Sequence, residues 1–227
     1  MTRNGMTDIL LSLLLAISLW PVYALLCAAL RWRYGRAAVA QCIVANERTF
    51  ARIRLLLSGL AVPGFFYLFA HNEPLQWMIF FYLLALLTLT DLQMRLLPDY
   101  LLMLLLGVGL AALAVGMPQM PAPRFALAAF AGAITLALLC VAVQTRWTGI
   151  TGMAAGDLKL IAVLALWFSY KMLPLLLFVA CFAGLVYILV IRCVTGVRLR
   201  TIAFGPCLAL GALVVHVLQR LNPGETG

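Results

Sequence analysis

Long apolar runs, separated by short polar or proline-containing breaks, dominate the chain. Most runs approach the roughly 20 residues that a membrane-spanning helix needs. The clearest breaks are the basic stretch 31–54, the polar turn 71–74 and the three prolines within 117–123. The pattern predicts eight membrane-spanning helices, at residues 8–30, 55–71, 75–90, 99–116, 125–144, 157–170, 172–191 and 202–219.

The sixth and seventh runs are short, and one bent helix joined at Lys171 and Pro174 is the alternative. Charge favours two helices, because basic residues accumulate in cytoplasmic loops. Eight spans place 12 of the 16 basic residues on one side, whereas a merged helix moves three of these twelve to the other side. The twelve are Arg31, Arg33, Arg36, Arg48, Arg52, Arg54, Arg95, Arg146, Lys159, Arg192, Arg198 and Arg200. This side is therefore predicted to be cytoplasmic, and both termini periplasmic.

Composition agrees with a membrane protein, since 66% of the residues are hydrophobic and only 10% are charged. We predict an all-α, polytopic membrane helical bundle in which residues 1–227 form a single domain. The net charge of +9 is mainly an orientation signal, and it does not indicate a nucleic-acid partner, because the arginines are dispersed between spans. The basic loop 31–54 is expected to rest against anionic lipid headgroups.

Metal binding is not expected from the cysteines. The six cysteines are scattered, and no two have the C-x-x-C spacing of a zinc site. His71 and His216 are predicted near the periplasmic edge, so a histidine-assisted hydrolase is disfavoured. We predict no metal site.

The chain has only seven acidic residues, and two of them lie at span ends on the cytoplasmic side, Asp91 and Asp157. Asp99 lies on the same side, but it follows Pro98 in the first turn of a predicted helix, where the helix dipole favours a negative charge. No comparable structural explanation applies to Asp91. Acids within membrane segments usually mark functional sites.

Small residues surround the second acid. The segment 149–160 places Gly152, Ala154, Ala155 and Gly156 just before Asp157. Small side chains let another backbone approach closely, as a peptide substrate must, although glycine and alanine also serve helix packing in membranes. Packing and function therefore both account for these residues.

Two carboxylates on one side of a membrane suggest aspartyl hydrolysis. One ionised acid activates water, and its protonated partner donates a proton to the carbonyl oxygen of the peptide bond. A helix N-terminus favours the charged form of Asp157, and a preceding helix C-terminus favours the neutral form of Asp91. We therefore predict Asp157 as the base and Asp91 as the acid.

The acidic segments also resemble those of a known family, the type IV prepilin peptidases, which are membrane aspartyl proteases of the GxGD class. The resemblance rests on Asp91 followed by Arg95 and Leu97-Pro98-Asp99, then on the segment from Gly152 to Lys159, and finally on Phe204-Gly205-Pro206. It covers roughly residues 80–215. It implies that Asp91 and Asp157 are the catalytic aspartates.

The resemblance further implies cleavage of prepilins or pilin-like secretion subunits after a basic leader that ends in glycine. The site would face the cytoplasm in the bacterial inner membrane, with membrane lipids around it. Other motif residues have expected roles in catalysis, topology or helix packing. Arg95 would hold a substrate carboxyl or set topology, Lys159 would reach toward the headgroups, and Gly205-Pro206 would kink the last span, either toward the site or as ordinary helix packing.

Two departures from the family pattern are visible. Ala154 stands where the first glycine of GxGD is expected, and the loop 31–54 contains only Cys42 where many members have paired C-x-x-C motifs. The resemblance implies no cofactor for peptidase activity. S-adenosylmethionine would be needed only if an N-methyltransferase activity accompanies it.

Three alternatives stay open on sequence grounds. A bifunctional peptidase and N-methyltransferase shares the same aspartates. A proton-coupled transporter would use the acids as relays, although relay acids are expected at mid-span rather than at span ends. A noncatalytic component of a pilus or secretion machine is the third.

Overall fold

A computed structural model describes residues 5–34, 74–94, 97–116, 121–148, 155–168, 170–195 and 203–221. In these ranges the regular elements are seven helices: α1 Gly5–Tyr34, α2 Leu75–Met94, α3 Asp99–Ala114, α4 Pro123–Thr148, α5 Ala155–Trp167, α6 Leu173–Thr195 and α7 Gly205–Leu221. Seven of the eight predicted spans are thus confirmed as helices, to within a few residues. The predicted span 55–71 and residues 35–54 of the basic loop lie outside the described ranges.

The all-α membrane prediction is confirmed. Among the described residues, three helical segments are long and apolar enough to cross a bilayer, namely Ile9–Ala29, Leu75–Leu92 and Pro123–Val143, and shorter apolar helices accompany them. The side chains of α4 and α6 expose many large apolar groups, such as Leu138 and Phe178. These surfaces suit contact with lipid tails, which are as apolar as leucine.

The sixth and seventh predicted spans are separate helices, as charge asymmetry predicted. Helix α5 ends at Trp167 and α6 begins at Leu173. Pro174 is the second residue of α6, where its missing N–H costs no helical hydrogen bond. Proline therefore starts the second helix and does not bend a continuous one.

Two predicted helix ends need correction. Helix α2 continues to Met94, so Asp91 lies inside its last turn and not beyond its end. Leu92, Gln93 and Met94 are good helix formers, and they extend the helix. The predicted kink at Gly205-Pro206 is wrong, because α7 begins at Gly205 and Pro206 lies in its first turn.

The chain divides into two compact units, residues 1–96 and 97–227. In the first unit α1 packs against α2. The hydroxyls of Ser18 and Tyr82 lie 3.1 Å apart and link the two helices through a polar contact. Trp77 packs edge-on against Phe80 at the start of α2.

In the second unit, α5 packs against α3, α4 and α7, and α6 packs against α7. Small residues allow the close contacts. Ala162 and Ala165 of α5 meet Ala133 of α4 in a buried cluster. On α7, a Cβ atom at Gly211 would lie only 2.6 Å from the carbonyl oxygen of Leu176 on α6. A side chain there would force the two helices apart.

Helix α3 has a defined end. Gly116 has φ of +68°, the left-handed conformation that glycine adopts without a Cβ penalty. Its N–H donates to the carbonyl oxygen of Leu113 at 3.1 Å, and that of Val115 donates to Ala111. The pattern is a glycine cap, which satisfies carbonyl groups at the helix end.

Candidate active site

Asp91 lies in the last turn of α2, and only 5% of its surface is exposed. The residues before it are buried as well, and two of them are threonines. Thr88 donates its hydroxyl to the carbonyl oxygen of Leu84, and Thr90 donates to that of Leu87, each at 2.9 Å. Because both hydroxyls bond within α2, they add polar groups beside Asp91 without unsatisfied donors.

Asp157 is the third residue of α5, and 8% of its surface is exposed. The prediction that it lies in the first turn of a helix is confirmed. The unpaired N–H groups and the dipole at this end of the helix stabilise a carboxylate. After Asp157 the helix is almost entirely buried from Leu160 to Trp167.

The backbone before Asp157 approaches the start of α3. A Cβ atom placed on Gly156 would lie 3.0 Å from the Cβ of Leu97 and 3.2 Å from its Cδ1. Leu97 is held in place by Pro98, because the residue before a proline avoids the helical conformation. Pro98 itself is extended and forms the N-cap of α3. Gly156 is therefore needed for helix packing at this point.

A salt bridge joins the same two helix ends. Lys159 Nζ lies 2.7 Å from Asp99 Oδ1, and both side chains are more than half exposed. Asp99 is the first residue of α3, as predicted. Asp157 is buried and Lys159 is exposed, because side chains two positions apart on a helix point in different directions.

Farther along, the same pair of helices has a buried contact. Trp167 Nε1 donates a hydrogen bond to the carbonyl oxygen of Leu105 at 3.3 Å. A Cβ atom on Gly109 would lie 2.8 Å from that nitrogen, so the indole packs directly over the glycine. Since Asp99 meets Lys159 near the start of α5 and Gly109 meets Trp167 at its end, α3 and α5 run parallel. The starts of both helices therefore lie at the same end of this unit.

The remaining predicted site residues are distributed as follows. Gly205 is buried and Pro206 is half-buried at the start of α7, which packs against α5. Arg95, Gly152 and Ala154 lie outside the described residues. Asp91 belongs to the first unit and Asp157 to the second, so their pairing as a catalytic dyad stays a prediction.

Sequence reasoning missed Leu97 and the pairing of Asp99 with Lys159. A signal for the pair was available, because the two residues carry opposite charges near the starts of two helices predicted to begin on the same side. No signal in the sequence pointed to Leu97. Its role depends on the distance between two helix backbones.

Within the part of the chain that the structure describes, no group of three or more histidine, cysteine or acidic side chains is arranged to hold a metal ion. Cys27 and Cys207 are buried, and Cys181 and Cys193 are exposed. These thiols lie apart from the starts of α3 and α5 in sequence.

Comparison with known proteins identifies a family. The family model described as "Type IV leader peptidase family" matches residues 78–189. This range contains Asp91, Asp99, Gly156, Asp157 and Lys159, and it ends before Gly205. No solved structure matches the chain.

Curated relatives are similar over larger parts of the chain. A prepilin leader peptidase/N-methyltransferase of Neisseria gonorrhoeae is 40% identical over 57% of this chain and 43% of its own length. Proteins of the same description from Pectobacterium carotovorum and Dichelobacter nodosus are 34% and 30% identical. They cover 84% and 79% of this chain and 67% and 61% of their own lengths. The chain thus spans between 43% and 67% of the length of these relatives.

Proposed function

Because the chain belongs to the type IV leader peptidase family, we propose that it is an aspartic endopeptidase of the bacterial inner membrane. Its substrates are prepilins or pilin-like precursors, from which it removes a basic leader. The observation that carries the proposal is the burial of two carboxylates, Asp91 and Asp157, both within the region that matches the family. Burying a charged carboxylate costs free energy unless it is paired and hydrogen-bonded. Acids within membrane segments therefore usually mark functional sites.

Sequence spacing supports a common membrane side for the two aspartates. Asp91 lies at the end of the third predicted span and Asp157 at the start of the sixth, so both fall on the side that collects 12 of the 16 basic residues. The excess of basic residues supports a cytoplasmic location for this side.

In the proposed reaction, an ionised aspartate accepts a proton from water as the water oxygen bonds to the carbonyl carbon of the scissile peptide. The protonated partner donates its proton to the carbonyl oxygen. Collapse of the resulting intermediate breaks the C–N bond: the aspartate that took the proton from water gives it to the leaving amine, and its partner takes a proton back from a hydroxyl group of the intermediate. The start of α5 favours the charged form of Asp157, so Asp157 is the base and Asp91 the acid.

The glycine at position 156 affects how the Asp157 carboxylate is held. With no side chain at 156, the first turn of α5 packs against Leu97, and the backbone beside Asp157 is fixed. A fixed carboxylate reaches its productive geometry without reorganisation, which is a large part of enzymatic rate enhancement.

N-methylation of the new N-terminus is a second candidate activity. It is suggested by the names of the relatives, each a prepilin leader peptidase/N-methyltransferase. It would require S-adenosylmethionine, for which those names are the support. Family membership does not favour the proton-coupled transporter.

The function and its sidedness can be tested together. A synthetic peptide with a basic leader, a glycine and a following apolar segment is added to sealed membrane vesicles that contain the protein. We expect cleavage after the glycine in inverted vesicles, whose cytoplasmic face is outward, and not in right-side-out vesicles. Mass spectrometry of the new N-terminus, with and without S-adenosylmethionine, tells cleavage alone from cleavage with methylation.

Vesicles without the protein are the control. Absence of cleavage in both orientations and after solubilisation in detergent would contradict the peptidase proposal. Cleavage only in right-side-out vesicles would instead reverse the proposed topology.

A further inference from the structure

The salt bridge between Asp99 and Lys159 is not needed to neutralise a buried charge. The side chains are 64% and 54% exposed, so each charge is accessible to water without the other. Nevertheless the charged atoms lie 2.7 Å apart, although the residues are 60 positions apart in sequence. The pair connects the first residue of α3 with the second turn of α5.

Its position relative to Asp157 is informative. Along α5, one contact with the start of α3 lies just before Asp157, where Gly156 packs against Leu97. The other lies two residues after it, at Lys159. The buried carboxylate of Asp157 is therefore on a helical turn that is attached to α3 on both sides.

We propose that Asp99 and Lys159 are positioning residues, whose salt bridge holds the first turns of α5 against the start of α3 and so sets the position of the Asp157 carboxylate. The kinetic consequence rests on the proposed peptidase function, whereas the effect on the position of residue 157 does not. Because a helical turn is stiff, a displacement at Lys159 carries the backbone of Asp157 with it.

The size of the effect is limited by the strength of an exposed ion pair. Such a pair biases a conformational equilibrium by no more than about fivefold. Loss of the pair should therefore lower kcat about three- to fivefold. KM should stay unchanged, because neither side chain contacts the substrate in this account.

The kinetic test uses Lys159→Met, Asp99→Asn and the double variant, assayed for leader cleavage in membranes with equal expression. Each single variant should lose about the same factor in kcat, and the double variant should lose no more, because the two residues act as one unit. Lys159→Arg keeps the ion pair and should retain most of the activity. Lys171→Met, in the turn after α5, is the matched control and should behave as wild type.

A second readout does not depend on activity. Asp157→Cys introduces a thiol at a position where the native side chain is 8% exposed. Its rate of reaction with a maleimide is measured in membranes by mass spectrometry of the peptide containing residue 157, so that the native cysteines do not contribute. Adding Lys159→Met should raise this rate severalfold, and adding Lys171→Met should leave it unchanged.

Specific results would overturn the inference. If Lys159→Met raises KM, or if the effects of the two single variants multiply in the double variant, Lys159 acts on substrate or lipid and not through Asp99. An unchanged labelling rate at residue 157 also refutes positioning. If the wild-type chain cleaves no leader, the proposed function fails, and the labelling experiment still decides whether the pair positions residue 157.

Discussion

Burial separates the three aspartates whose side chains the structure describes into two kinds. Asp91 and Asp157 are almost fully buried, whereas Asp99 is 64% exposed and has a lysine partner. A helix dipole and a salt bridge are sufficient to explain an exposed Asp99. Asp91 and Asp157 are each buried in an apolar helix, where a carboxylate is costly to place. Acids in such positions usually have a function. The sequence allowed this distinction, because only Asp99 follows a proline at a helix start.

Gly156, next to Asp157, leads to a prediction about a single methyl group. In Gly156→Ala the new Cβ would lie 3.0 Å from the Cβ of Leu97, so the start of α5 must shift by a few tenths of an ångström. Because small misplacements of catalytic groups are costly, we expect kcat to fall about tenfold. Leader cleavage in membranes is the measurement.

Gly132→Ala is the matched control for this change. An added Cβ at Gly132, within α4, meets no atom within 4 Å, so this variant should keep wild-type kinetics. Equal activity of Gly156→Ala and wild type would show that the close approach to Leu97 has no catalytic importance.

At the scale of the helices, α3 and α5 contact each other at two positions along their length. The starts of the helices meet through Asp99 and Lys159, and the indole of Trp167 contacts α3 about two to three turns farther along. The indole N–H of Trp167 donates to the carbonyl oxygen of Leu105, which also accepts a hydrogen bond within α3. The indole fits there only because residue 109 is a glycine. This buried contact should contribute more to stability than the exposed salt bridge.

Two glycines in α3 provide a direct comparison. Gly109→Ala places a Cβ 2.8 Å from Trp167 Nε1 and 2.9 Å from Leu166 Cδ2, and overpacking of this kind costs about 1–3 kcal/mol. Gly107→Ala, two residues away, meets nothing within 4 Å. We expect a lower thermal midpoint in detergent for Gly109→Ala only.

The Gly107→Ala variant also controls for the higher helix propensity of alanine, which both changes share. If both variants have the same thermal midpoint, the close packing of Gly109 against Trp167 does not stabilise the protein.

For the whole molecule, hydropathy and charge were sufficient to predict the helices but not their contacts. The seven confirmed spans could be predicted because long apolar runs and proline breaks are local properties of the chain. The rotation of each helix about its axis was not predictable, because these helices are apolar on all sides and give no amphipathic pattern. Leu97, Gly109 and the pair of Asp99 with Lys159 depend on that rotation.

The aspartyl mechanism requires both buried carboxylates, and their loss tests it most directly. Asp91→Asn, Asp157→Asn and the double variant are compared with wild type for leader cleavage in membranes, at equal expression. Each single change should lower kcat at least about 100-fold, and the double change should lower it little further, because the two carboxylates act together. Asp99→Asn, the same change at an exposed aspartate, should lose only the threefold to fivefold of a positioning residue. Cleavage at the wild-type rate by either Asp91→Asn or Asp157→Asn would contradict the mechanism.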